Sequence, residues 1–176
     1  MEKSKIRKQI LAKRLGYVAS QDEQAKLEEY FCQNLKLNTY DSIAGYWPIN
    51  GEVNILPFLR KLRVTNNVCL PKTSSGQLKL SFHPFTESEL KEGPYGIMEP
   101  TNTKICLPDI LLAPCVAATA TGERLGYGGG YYDYTLRQLR QAGHKFLAVG
   151  IVYKFQVLTE LPVGNHDEKL DLIVAL

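Results

Sequence analysis

The chain has 176 residues, 44% of them apolar and 22% charged. That composition suits a folded domain large enough to bury its own core, and it excludes an intrinsically disordered or fibrous chain. The net charge of +3 is unevenly placed: Lys3, Lys5, Arg7, Lys8, Lys13 and Arg14 meet only Glu2 in the first 14 residues, a net of +5, while the other 162 residues hold 15 basic and 17 acidic groups, a net of −2. A local basic cluster of this kind fits a compact polyanion such as a nucleotide phosphate, whereas nucleic-acid binders spread their basic surface more widely.

Ile6, Ile10 and Leu11 recur at helical spacing, so a first amphipathic helix is expected over Lys3 to Leu15, ended by Gly16. Ser20 and Glu23 have capping-box spacing, and Leu27, Tyr30, Phe31 and Leu35 form one face of a second helix from Gln21 to Leu37. Ser42 to Trp47 reads as a strand stopped by Pro48, and Asn54 caps a helix through Ile55 to Arg63. A short strand over Val68 to Leu70 precedes Pro71, and Leu78, Leu80 and Phe82 alternate as in a strand with one exposed face. Phe85 to Leu107 is rich in Pro, Gly and Thr and reads as a long functional loop. Asp109 to Ala113 fits a buried strand, Tyr131 to Ala142 a helix with Gly143 after it, and Lys145 to Val152 and Asp171 to Leu176 two last strands. The alternation predicts an α/β fold in a single domain over 1–176: a largely parallel central sheet flanked by helices in three α/β/α layers, with its ligand site beyond the carboxyl ends of the strands.

Between a strand and a helix lies Gly122-Glu123-Arg124-Leu125-Gly126-Tyr127-Gly128-Gly129-Gly130-Tyr131-Tyr132-Asp133. Glycines bring backbone N–H groups close to a ligand, and a helix N-terminus adds partial positive charge, so the segment reads as a phosphate site. It is neither a Walker loop nor a dinucleotide fingerprint. Arg124 supplies a fork for phosphate oxygens, and Asp133 a carboxylate for a magnesium ion shared with them, though an Asp at a helix start also serves as a cap. Cys32, Cys69, Cys106 and Cys115 form no C-x-x-C pair. With no signal peptide and no apolar run of roughly 18–20 residues, reduced thiols and a cytoplasmic location are expected. An RNA-gripping basic helix would leave Arg124 to Asp133 without a purpose, so no nucleic-acid or membrane partner is expected.

Those twelve positions resemble the signature G-x-R-L-G-x-G-x-G-Y-Y-D of the 5-formyltetrahydrofolate cyclo-ligases, also called 5,10-methenyltetrahydrofolate synthetases. The resemblance continues at Lys3 and Arg7, Tyr46-Trp47-Pro48, Glu52-Val53, Leu70-Pro71, Gly96-Ile97-Met98-Glu99-Pro100, Gln156, Pro162, His166-Asp167 and Asp171. The chain departs from many members at Ala118-Thr119, where they have Phe-Asp, and at Ala175-Leu176, where they end in Thr-Glu. The resemblance implies conversion of 5-formyltetrahydrofolate and ATP to 5,10-methenyltetrahydrofolate, ADP and phosphate with Mg²⁺. It implies catalytic roles for Arg124, Lys3 and Arg7. It implies ATP contacts along Lys3, Ser4, Lys5, Ile6 and Arg7, and along Arg124, Leu125, Gly126, Tyr127, Gly128, Gly129, Gly130, Tyr131 and Tyr132. Folate contacts fall on Trp47, Glu52, Tyr127 and Tyr131, and metal ligation on Asp133 and Asp167. Taken alone, Lys3 and Arg7 read as a solvated basic face, Trp47 as core and His166 as an exposed loop residue. A sugar-phosphate isomerase or CoA-transferase relative is the alternative. Small-molecule substrates and a monomer or weak homodimer are expected.

Overall fold

The computed structural model describes residues 2–176. In chain order the helices and strands are α1 (Lys3–Leu15), α2 (Gln21–Asn34), β1 (Ser42–Ala44), α3 (Leu56–Leu62), β2 (Asn67–Ser74), β3 (Gln77–Pro84), β4 (Leu90–Glu92), β5 (Met98–Pro100), β6 (Ile110–Pro114), β7 (Ala117–Thr119), β8 (Arg124–Leu125), α4 (Tyr131–Gln141), β9 (Leu147–Val152), β10 (Val157–Leu158) and β11 (Leu172–Ala175). Six strands form the main sheet in the order β11-β9-β6-β1-β2-β3. All neighbours are parallel except β2 and β3.

Strand β6 shows why the centre reads as an unbroken apolar run. Successive side chains point to opposite faces of a sheet. Ile110 and Leu112 join Leu27 and Phe31 of α2 and Leu59 of α3 in one core. Leu111 and Ala113 join Leu136 and Leu139 of α4 in the other. Both faces are covered, so polar residues have no place in the strand. The three-layer α/β/α expectation holds for α2, α3 and α4. Helix α1 differs: Ile6 and Ile10 pack with Val116, Ala117 and Leu125, on a small separate sheet of order β10-β7-β8.

Several boundaries move. Strand β2 runs through Pro71, because past Cys69 it pairs only with β3 and a missing N–H on the open side costs nothing. The expected strand to Trp47 stops at Ala44, and α2 ends at Asn34. Within the expected loop, β4 and β5 form an antiparallel hairpin too short to show an alternating pattern. Arg124 and Leu125 lie in a strand paired with β7, not in a free loop. Asn54 accepts the Leu56 amide (3.2 Å) from one position before the N-cap, which is Ile55 and makes no side-chain cap bond.

The hairpin that carries Arg124 needs its first glycine for space. Gly122 has φ +92°, and a Cβ there would lie 2.2 Å from the Leu170 carbonyl oxygen. Gly76, with φ +72°, has open space around it. Gly122→Ala is therefore expected to lower the urea midpoint by more than the equivalent of about 1–3 kcal/mol of backbone strain alone, and by clearly more than Gly76→Ala.

Candidate active site

The parallel strands β1 and β6 end at Ala44 and Pro114, and the segments that follow them form the rim of a cavity of about 850 Å³. Its lining includes Lys3 and Arg7 of α1, Trp47 and Glu52 after β1, Arg124 to Asp133, and His166 and Asp167 before β11. Nearly every residue singled out in the sequence thus faces one space. The exceptions are Ser4 and Lys5, which are exposed and do not line it, and Ile6, whose side chain is buried in the small core beneath α1.

One wall is cationic. The helical spacing puts Lys3 and Arg7 on the same side of α1. Arg7 Nε donates to the Gly126 carbonyl (2.7 Å), and its guanidinium lies beside Gly128, 3.5 Å from where a Cβ there would stand. Lys3 Nζ pairs with Asp167 Oδ2 at 2.5 Å, and Gly164 N–H donates to the same oxygen (2.6 Å). These bonds and the Lys3 charge outweigh partial burial and hold the Asp167 carboxyl below its ordinary range. Arg124 is nearly enclosed: Nη2 pairs with Asp133 Oδ2 (2.8 Å), and Nη1 reaches the Pro114 carbonyl at 3.4 Å. Its Nε is buried without a partner among the described residues. A Cβ on Gly126 would lie 2.8 Å from Arg124 Nη1, so glycine there makes room for the guanidinium.

The loop then turns into α4. Gly130, with φ +74°, is the N-cap, and α4 begins at Tyr131. The first amides of a helix have no carbonyl partner within it, and here they open beside Lys3, Arg7 and Arg124. Backbone donors, a helix end and three cations form an anion-binding wall. Asp133 departs from the simple picture of a free metal ligand, since Oδ2 takes Arg124 and Oδ1 accepts the Glu168 N–H (3.1 Å). Asp167 uses only Oδ2 in its two hydrogen bonds. Among the described residues no three potential metal ligands gather, so an ion here would draw its remaining ligands from phosphate and water.

The other end of the cavity is aromatic. Tyr46, Trp47, Tyr127 and Tyr132 line it around Glu52. Asn50 and Gly51, with φ of +48° and +73°, make the tight turn that aims Glu52 inward. Glu52 Oε2 accepts the Ile49 N–H (3.0 Å), while Oε1 is buried without a hydrogen bond of normal geometry among the described residues. Burial pushes this carboxyl up to about 7, only partly offset by the Ile49 amide, the Arg14 charge and the Tyr127 hydroxyl. A buried acceptor oxygen this poorly supplied with donors suits an N–H ligand. Toward solvent, Tyr95 at the tip of the β4–β5 hairpin meets Tyr131, hydroxyl to hydroxyl at 2.6 Å. Glu99 of β5 accepts the Thr73 hydroxyl (2.7 Å) at the cavity edge.

Comparison with known proteins agrees with this arrangement. The sequence profile of the 5-formyltetrahydrofolate cyclo-ligase family matches residues 1–175. The chain belongs to that family. The 5-formyltetrahydrofolate cyclo-ligase of Haemophilus influenzae is 31% identical over 98% of this chain and 97% of its own length. That of Escherichia coli K12 is 33% identical over 76% of each chain. The solved structure of Aquifex aeolicus 5,10-methenyltetrahydrofolate synthetase superposes with a TM-score of 0.79 at 33% identity, covering 99% of this chain and 90% of that one. The Mycoplasma pneumoniae synthetase gives 0.72 at 29% identity, covering 98% of both. Family membership displaces the isomerase or CoA-transferase alternative.

Sequence reasoning missed Arg14, Tyr46, Tyr95, Glu99 and Arg137 at or behind the cavity. Only the motif positions Tyr46 and Glu99 carried a signal, and no role had been drawn from them. Gln156, also a motif position, is structural: it donates to the Cys115 and Val116 carbonyls and accepts from the Tyr153 amide.

The raised Glu52 value has a defined sign in stability. The folded chain keeps the proton between the ordinary 4.5 and about 7, so stability falls as pH rises through that window and stays lowered above it. Glu52→Gln is expected to exceed the wild type in denaturant midpoint at pH 8 and to match it near pH 4.5.

Proposed function

We propose that the protein closes the imidazoline ring of 5,10-methenyltetrahydrofolate from 5-formyltetrahydrofolate, consuming ATP and releasing ADP and phosphate, with Mg²⁺. The supporting observation is the polarity of one cavity: an anion wall of Lys3, Arg7, Arg124 and the Gly126–Gly130 loop faces an aromatic end that holds Glu52 and Trp47. The relatives named for this reaction match the chain along nearly its whole length.

The formyl oxygen is a poor leaving group as it stands. In the proposed sequence it attacks the γ-phosphorus, and the bond from that phosphorus to the bridging oxygen of ADP breaks. N10 then attacks the activated formyl carbon and loses its proton. Phosphate departs with the carbon–oxygen electron pair, leaving the amidinium of the closed ring. Phosphoryl transfer of this type depends on alignment and charge neutralisation. Arg124, Arg7 and Lys3 would hold the phosphates in line and spread the charge that builds on the transferring group. Trp47 offers a flat apolar face to the pterin and Glu52 a carboxylate to its ring N–H groups. The aromatic rings at that end would shield the activated carbon from water.

The carboxylates suit magnesium, a hard cation that takes oxygen ligands from one or two carboxylates together with substrate phosphates. Asp167, with Asp133 across the wall, would hold it, and the ion would neutralise phosphate charge. Each candidate cation–carboxylate pair, Lys3–Asp167 and Arg124–Asp133, already stands in contact. A magnesium–phosphate group would let these pairs exchange partners, cations to phosphate and carboxylates to metal, with little change in total charge.

The test is a reaction of purified protein with 5-formyltetrahydrofolate and Mg-ATP, read by methenyltetrahydrofolate absorbance. ATP-dependent product is expected, and its absence would refute the proposal. Arg124→Ala should lower kcat by about 10²–10³, the cost of losing one preorganised donor to a developing charge. Asp167→Asn should raise the magnesium concentration at half-maximal rate.

A further inference from the structure

Arg14 is among the most deeply buried side chains, 1% exposed, and makes no ion pair among the described residues. Its guanidinium is instead divided among three neutral acceptors on three segments. Nε donates to the Asn50 carbonyl (2.9 Å), in the turn that aims Glu52. Nη1 donates to the Cys115 carbonyl (3.0 Å), just past β6. Nη2 donates to the Tyr127 hydroxyl in the glycine-rich loop, and the guanidinium carbon lies 5.5 Å from the Tyr127 ring centroid. Gly51 is packed against it, since a Cβ there would lie 3.1 Å from the Arg14 carbonyl oxygen.

An enclosed guanidinium without a carboxylate is costly unless its donors are used. A simple anchor for α1 needs no charge, since Ile6 and Ile10 already seat that helix. What the fork supplies is a fixed distance between the Glu52 turn and Tyr127, the two walls of the aromatic end. We infer that Arg14 is a positioning residue that sets Tyr127 and the Glu52 turn in register for the folate, acting through them without touching it. The inference rests on the folate reading of that end of the cavity.

Trp47, the chain's single tryptophan, lines the cavity and gives a readout independent of turnover. In Arg14→Met, Trp47 fluorescence titration should show the Kd for 5-formyltetrahydrofolate raised at least about tenfold, while calorimetry with a non-hydrolysable ATP analogue should show a Kd within about threefold of wild type. Tyr127→Phe should weaken folate binding likewise, and the Arg14→Met/Tyr127→Phe double variant should be no weaker than the worse single variant by more than about twofold, because both remove one link. If Arg14→Met does not give the wild-type circular dichroism spectrum, Arg14→Lys, which keeps the charge and loses the three-way fork, takes its place with the same expectations. Equal weakening of both ligands would make Arg14 a helix anchor only and overturn the inference. So would unchanged folate binding in a folded variant, or fully additive losses. Absence of folate binding by the wild type would refute the folate assignment itself, and the inference with it.

Discussion

Everything at the candidate site depends on helix α1 being seated against the β7–β8 hairpin. Ile6 and Ile10 provide the apolar contact, with Val116, Ala117 and Leu125 beneath them. Arg7 then closes on the Gly126 carbonyl and Lys3 on Asp167. Neither cation would face the glycine-rich loop if the helix stood elsewhere. The buried fork of Arg14 links the seated helix to the far end of the cavity, because its donors are satisfied only when the Asn50 turn, Cys115 and Tyr127 are all in place. Burying a charge this way trades stability for one defined arrangement.

The wall also shows how a protein concentrates positive charge without repelling itself. Arg124 and Lys3 each hold a carboxylate, and Arg7 leans on a carbonyl. The glycines serve the cations as much as any ligand: Gly126 clears space for the Arg124 guanidinium, and Gly128 lies against that of Arg7. The same residues that present backbone amides therefore also let side-chain donors lie flat beside them. At the far end the logic reverses, and one carboxylate is left short of donors among aromatic rings.

Much of this was legible in the sequence, for reasons that can be named. The β6 run Ile110 to Ala113 declares a strand covered on both faces, and α1 and α4 declare themselves by spacing and by the glycines near their ends. The twelve-residue signature could be read locally because it brings contiguous residues, Arg124 to Asp133, to the lining of the cavity. What stayed hidden depends on contacts between distant segments. Nothing local marks Arg14 as different from the five other basic residues near it; its partners lie 36, 101 and 113 positions away. The β4–β5 hairpin has three-residue strands, below the length at which alternation can be read. Asp133 looked like a free ligand because the Glu168 amide that takes its second oxygen is 35 residues further on. Pro71 looked like a stop because an open strand edge is a property of the sheet and not of the residue.

The placement of α1 has a consequence for biosynthesis. Helix α1 carries Lys3 and Arg7, yet the surface it docks on lies at residues 115–127 and the partner of Lys3 at 167. A 13-residue helix alone in water is marginal. During synthesis α1 is therefore made well before the surface it packs on. The contact of Lys3 with Asp167 closes only when nearly all of the chain has been made, so a chain interrupted before residue 167 lacks it.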